Sequence, residues 1–347
     1  MTDTTANYTP TAEDFRLKDS GGAIEIDRNF ASQNFWKEVV IRYVKKTSAM
    51  VGLIFIILIT IMAAVGPGMN GFTYSEQHLS EKNFAPRVSG LEKLGIFDGT
   101  EKISTTTGTK EVNQYVEQDK LDIYYWFGSD NFGRDIWTRT WNGARVSLIV
   151  AVAAAVIDMI IGMSYGLISG YFGGKVDMVM QRFLEIANSI PRLVVVTLLL
   201  LVLKPGMVTI IIALMLTEWV GMSRIARAEM LKLKEQEFVL ASRTLGAGSF
   251  RIIFREVLPN IIGPIITQVM FSIPTAIFTE AFLSFVGLGI PVPQCSLGSL
   301  ISEGFNSFTT HPYQIVPPLI VMALLMLSFN LVADGLREAL DPKMKEA

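Results

Sequence analysis

Ionisable side chains interrupt otherwise apolar stretches of this 347-residue chain, five of them being Asp158, Glu185, Arg192, Glu218 and Glu280. Facing lipid, each would cost roughly 3 kcal/mol at the centre of a bilayer. Each must therefore pair, face the protein interior or line a wet cavity. Arg182 and Glu185 are three residues apart, the spacing at which two helical side chains meet and pair. Arg192 follows Pro191, whose ring breaks the backbone ladder. A cation beside such a kink can shape a gate, take a carboxylate, or pair with Glu218 or Glu280. One acid per apolar segment is a thin basis for a proton relay. Cys295 is the single cysteine, which excludes an internal disulfide. His78 and His311 stand far apart and read as exposed loop residues, so no zinc cluster is expected. Gly173-Gly174-Lys175 is followed by Val176 and lacks the Gly-x-x-x-x-Gly-Lys-Ser/Thr spacing of a phosphate loop. It reads as a turn. No cofactor, metal or catalytic site is expected.

The elements that must position these charges are long apolar runs. Half of the residues are apolar, a fraction that soluble domains also approach, so their distribution decides the class. Six runs stand out, at 48–65, 146–168, 178–203, 206–222, 261–288 and 315–333. A helix needs about 20 residues to cross the hydrocarbon, whereas a barrel strand needs about half that and alternates. The expected fold is an all-α membrane protein with six transmembrane helices. Net charge is −2, too small to argue for nucleic acid.

Lysine and arginine orient the runs. Lys37, Arg42, Lys45 and Lys46 precede the first, and Arg337, Lys343 and Lys345 follow the sixth. Arg224, Arg227, Lys232, Lys234, Arg243, Arg251 and Arg255 lie between the fourth and fifth. The positive-inside rule then places both ends in the cytoplasm of a multi-pass cell-membrane protein. Residues 1–47 form a polar cytoplasmic tail without the features of a signal peptide, and 334–347 form a second tail. Residues 66–145 lie outside, as a loop or small insert. Five further helices occupy 146–333, with a cytoplasmic loop at 223–260. Tyr124, Tyr125, Trp126, Trp137 and Trp141 suit the headgroup region and predict a helix lying on the outer surface before the second run.

The loop at 237–260 carries the sharpest pattern. Glu237 to Leu245 can form about two helical turns, with Phe238, Ala241 and Leu245 on one face. Gly246 supplies the left-handed stop, and a helical pattern resumes from Phe250 until Pro259. Ala241 and Ser242 are small enough to let a groove close on them, and Arg243 is a rim charge that can fix register. A short helix of this kind is built to be gripped by a soluble partner.

This segment resembles the coupling-loop signature of ABC importer permeases. Ala241 and Ser242 match its paired alanines, Gly246 its glycine, and Leu258 and Pro259 its closing Leu-Pro. Leu240 stands where the family has glutamate and Glu256 where it has isoleucine; Glu237 lies one turn earlier. A second series, Gly128-Ser129-Asp130, Gly133-Arg134-Asp135 and Gly143 to Leu148, is similar to one in the second permease subunit of dipeptide and oligopeptide importers. Thr279 to Gly289 and Asn330 to Pro342 add two further likenesses. The resemblance covers about two thirds of the chain. It implies a type I ABC importer permease forming half of a pore for oligopeptides or dipeptides. Its partners would be a sister permease subunit, two ATP-binding ATPase subunits that supply the hydrolysis, an extracellular peptide-binding protein and the lipid bilayer. Nickel-chelate, glutathione and opine importers use similar permeases, and nothing in the residues separates these cargoes. An ion-coupled secondary transporter using Asp158, Glu218 and Glu280 would need an inverted repeat, which the sequence does not display. A membrane enzyme would need clustered nucleophiles, acids or metal ligands at one depth.

Overall fold

The computed structural model describes residues 35–105 and 108–340. The tails at 1–34 and 341–347, with Pro342, Lys343 and Lys345, lie outside the described residues. Ten helices and one hairpin organise the rest. A short amphipathic helix, α1 (Phe35–Lys45), leads into α2 (Thr47–Gly68). After residues 69–135 come α3 (Ile136–Phe172), α4 (Gly174–Ser189), α5 (Arg192–Val202) and α6 (Met207–Leu233). The short α7 (Glu237–Thr244) precedes α8 (Ser249–Leu288). Then α9 (Leu297–Asn306) leads to α10 (Pro312–Leu340). Helices α2, α3, α6, α8 and α10 are each long and apolar enough to cross a membrane. The α4–α5 pair makes a sixth candidate span, bent by 79°. The third run is therefore broken where the sequence places the kink at Pro191. Pro191 stands at the break, where its ring disfavours continuing the helix of α4.

The long helices exceed the apolar runs at one or both ends, because polar residues extend each helix beyond the lipid-sized core. Helix α3 starts at Ile136, so Trp137 and Trp141 occupy its own first turns. Tyr124 to Trp126 lie in turns and extended backbone instead. Among the described residues, no separate surface helix holds Tyr124, Tyr125 and Trp126. Within α8, Pro259 does not end the helix either. The turn before it, Ile252–Val257, is widened to the i→i+5 pattern, and the helix runs on to Leu283 through Pro264 and Pro274. Widened turns of this kind absorb backbone that a proline leaves without a donor.

Residues 69–135 form a small folded unit. Strands β1 (Thr100–Thr105) and β2 (Gly108–Asn113) pair antiparallel, Thr100 opposite Asn113. Beside them Phe84, Tyr115 and Tyr125 form a buried aromatic cluster. Burial pushes the Tyr115 and Tyr125 hydroxyls well above the ordinary tyrosine range. Burial also acts to raise the Glu81 carboxyl, but hydrogen bonds from Lys120 and Tyr125 outweigh it and hold the group below its usual value. His311 contradicts the expected exposed histidine: its Nδ1 lies 2.9 Å from Glu101 in a half-buried pair that ties the hairpin to the start of α10.

The main core joins α2, α3, α6, α8 and α10 around Ala151, Ile210, Ile277 and Leu325. A second core, around Leu167, Met230 and Ile261, joins the far ends of α3, α6 and α8. There α3 and α6 touch backbone to backbone. A Cβ added at Gly166 would lie 2.1 Å from the carbonyl oxygen of Ser223. Only glycine permits that approach. Replacing Gly166 by valine is expected to destabilise the bundle by about 3 kcal/mol, the upper end of overpacking costs. The check is a fall in the unfolding temperature of the purified, detergent-solubilised protein; an unchanged value would contradict the close contact.

Candidate functional site

Three arrangements of polar residues lie at three levels of the bundle. At the hairpin end, a buried knot of charge fastens α3 to α9. Arg134 reaches Asp130 at 2.6 Å and Glu303 at 2.8 Å. Arg139, almost fully enclosed, pairs with Asp130 and with Glu303 at 2.9 Å. Asp135 caps α3, accepting from the Thr138 backbone N–H at 2.7 Å and from Asn70 at 2.6 Å. Arg145 donates to the carbonyls of Ala63 and Ala64, satisfying the end of α2. The Gly-Ser-Asp, Gly-Arg-Asp and Ala-Arg-x-Ser motifs therefore build a joint between helices. Cys295 sits buried beside it, and burial pushes its thiol up, away from the reactive thiolate.

Midway along the helices lies a polar cavity of about 270 Å³, lined by Asp158, Arg192, Glu218 and Ser272 among others. Arg192 donates to Glu218 at 2.7 Å, one of the two pairings open in the sequence. Asp158 is 2% exposed and accepts from Ser272 at 2.5 Å. Its position opens a widened turn, Asp158–Gly162, in α3. The five charges of the apolar runs thus divide. Asp158, Arg192 and Glu218 meet at the cavity. Glu280 does not join them. It is fully enclosed between α3, α8 and α9, accepting from Ser147 at 3.0 Å and Ser284 at 2.8 Å. Glu185 pairs with Arg182 at 2.7 Å as the spacing predicts, but both are exposed on the outer side of α4. Asn188, Gln268 and Ser272 also line the cavity and escaped the reading of charges; their signal is a neutral polar side chain inside an apolar run.

At the end opposite the hairpin, α7 stands out from the bundle. Glu237 lies in its first turn and Arg243 in its last, each matching the helix dipole. Gly246 has φ +83°. Its N–H bonds to the Arg243 carbonyl and that of Ala247 to Ser242, both at 3.0 Å, which closes the helix with a Schellman turn. Nothing crowds Gly246, so the backbone angle alone demands glycine. One residue roots the helix: Val239 is fully buried against the second core. The expected stripe of Phe238, Ala241 and Leu245 is left uncovered, with Leu245 88% and nearby Phe250 76% exposed. Arg243 lies over the Tyr171 ring, 5.5 Å from its centroid. Ser242 is half-buried, Leu258 packs on the second core, and Pro259 is exposed. Val239 and Tyr171 are the residues that sequence reasoning missed; Val239 falls between the stripe positions and gives no signal of its own.

The fold and these sites define a multi-pass membrane transport permease. Comparison with known proteins agrees. Residues 162–346 match the family model described as "Binding-protein-dependent transport system inner membrane component". Residues 34–86 match "N-terminal TM domain of oligopeptide transport permease C". The chain is 40% identical over 94% of its length to the Oligopeptide transport system permease protein OppC of Bacillus subtilis, covering 95% of that protein. It is likewise 40% identical over 96% of its length to the Dipeptide transport system permease protein DppC of Lactococcus lactis, covering 98% of it. OppC of Escherichia coli K12 is 32% identical over 90% of this chain and 92% of that one. The chain therefore belongs to the family of binding-protein-dependent transport system inner membrane components. Among solved structures, an inward-facing MetNI methionine ABC transporter matches with TM-score 0.50 and 17% identity, over 58% of this chain and 96% of that one. That likeness carries the type I importer permease fold.

Truncating Asp130 to alanine would leave Arg134 and Arg139 buried around Glu303 alone. Breaking a buried ion pair by removing one partner typically costs about 3–5 kcal/mol. The expected result is loss of most folded protein from the membrane fraction, measured by size-exclusion chromatography after solubilisation. A normal yield and elution profile would show that the knot is dispensable.

Proposed function

We propose that this chain is one half of the translocation pore of an ATP-driven importer for oligopeptides or dipeptides. Its orientation places the hairpin unit outside the cell and both termini, with α7, in the cytoplasm. An extracellular binding protein delivers the peptide to the hairpin end. Two ATPase subunits supply the hydrolysis, one of them gripping α7 of this chain, and a sister permease subunit completes the pore. The names of the curated relatives support the peptide cargo.

The observation that carries the reading is the free face of α7. A helix rooted by one buried valine, with apolar Phe238 and the adjoining Leu245 exposed, matches the helix-in-groove mode of recognition. Glu237, Phe238, Ala241, Ser242, Arg243, Leu245 and Gly246 form the coupling surface, and Leu258 with Pro259 follows the widened turn of α8, the helix that carries its displacement into the bundle. The outward sides of α4 and α5, with Val179, Ile186, Leu201 and Val202 exposed, offer an apolar seat for the sister subunit.

Gly246→Val tests the coupling. A branched residue in the left-handed region costs about 1–2 kcal/mol, and the helix stop must shift. The variant is expected to remain in the membrane and to keep ATP hydrolysis by the assembled complex. Uptake of a labelled tripeptide is expected to fall about tenfold, corresponding to about 1.4 kcal/mol of lost coupling. Uptake at the normal rate would refute the assignment of α7 as the coupling element.

A further inference from the structure

One residue in the wall of the mid-bundle cavity, Asp158, carries an oxygen that the fold leaves unserved. Asp158 is buried to 2% exposure, and its Oδ2 accepts from Ser272. Its Oδ1 is buried and has no hydrogen-bond partner. A buried carboxylate oxygen without a donor is costly, and native structures rarely keep one without a purpose. The cavity beside it holds about 270 Å³, room for more than a water molecule. The nearby charges do not answer Asp158. Arg192 is committed to Glu218 at 2.7 Å. Arg224 lines the cavity and has no salt-bridge partner among the described residues, but Asp158 makes no ion pair with it. The remaining lining is uncharged: Asn188 and Gln268 can donate and accept, while the Thr217 and Thr275 hydroxyls, which donate to the Ala213 and Phe271 carbonyls, can still accept.

Such a wall suits a peptide. A peptide brings a cationic ammonium at one end and alternating N–H and C=O groups behind it. Asp158 supplies the anion, the amides and hydroxyls supply partners for the backbone, and the free Arg224 supplies a cation for a carboxylate. Resting on the peptide cargo proposed above, we infer that this cavity is a transient station on the pathway, where the Asp158 carboxylate accepts a hydrogen bond from the cargo's α-ammonium group. The site is incomplete by design of its balance: two acids face two arginines, so the lining attracts a zwitterion without holding either ion tightly. A passing cargo must leave as readily as it enters.

The test uses the assembled transporter in inside-out vesicles, with Thr275→Cys as a reporter on the cavity wall. The native thiol, Cys295, is buried and stays silent toward a methanethiosulfonate reagent unless the fold is lost. A tripeptide with a free amino terminus at millimolar concentration is expected to slow modification of the reporter about tenfold, the worth of one charge-assisted hydrogen bond. The same tripeptide with an acetylated amino terminus should slow it hardly at all. Adding Asp158→Asn should remove the difference between the two peptides, and Asp158→Glu should restore it. Equal protection by both peptides, or full protection in the Asp158→Asn variant, would overturn the assignment. So would an Asp158→Asn complex that fails to assemble, since that outcome marks Asp158 as the counter-ion of a cation on the partner subunit. Uptake of the same tripeptide by cells carrying the unmodified chain separates the two readings. Import without protection sinks this station alone; absence of import sinks the peptide cargo itself.

Discussion

Hydrocarbon offers no partner to a charge, so every ionised group in the bundle must be answered by the protein or by what passes through it. Most are answered internally. Glu280 rests on serines of α3 and α8, and Arg192 on Glu218. At the hairpin end, Arg134 and Arg139 share Asp130 and Glu303. These fixed pairs decide which helices are held rigidly together. Where the pairing is incomplete, at Asp158, the same constraint turns from architecture to recognition.

The bundle is correspondingly uneven along its length. The hairpin end is locked by an ion network and by a folded aromatic unit. The other end is held mainly by apolar packing and glycine-mediated helix contact, with separate ion pairs such as Asp177–Arg227 at 2.6 Å and Lys46–Glu338. Packing of this kind tolerates sliding better than a directional network does, since dispersion contacts re-form after small shifts. Widened turns at Asp158–Gly162 and Ile252–Val257 lie in α3 and α8, between the rigid end and α7. A push on α7 meets compliant helices first and a fixed joint last, which suits a device that opens at one end while the other stays closed.

The sequence displayed the spans, the charged positions and the glycine stop of α7 because each obeys a local rule. Apolar length marks a span, and Gly246 announces its own left-handed backbone. The Arg182–Glu185 pair follows from helical spacing. What stayed hidden depends on neighbours far along the chain. Pro191 marks the position of the break between α4 and α5 but not its 79° angle, since only the two helices together are long and apolar enough to cross. The tryptophans suggested a surface helix but proved to be the start of α3, because Asp135 caps it there. His311 looked free, and its partner Glu101 is 210 residues away. The separation of Glu280 from the cavity could not be read from a sequence in which both it and Asp158 are single acids within apolar runs.

The central claim is that α7 is a cytoplasmic contact for a separate ATPase. Labelling of a Leu245→Cys variant with a membrane-impermeant thiol reagent tests it most directly, in intact cells, in inside-out vesicles, and in inside-out vesicles with the ATPase subunits bound. The thiol should react only in the inside-out vesicles and be shielded when the ATPase is present. Labelling in intact cells, or labelling indifferent to the ATPase, would contradict the claim.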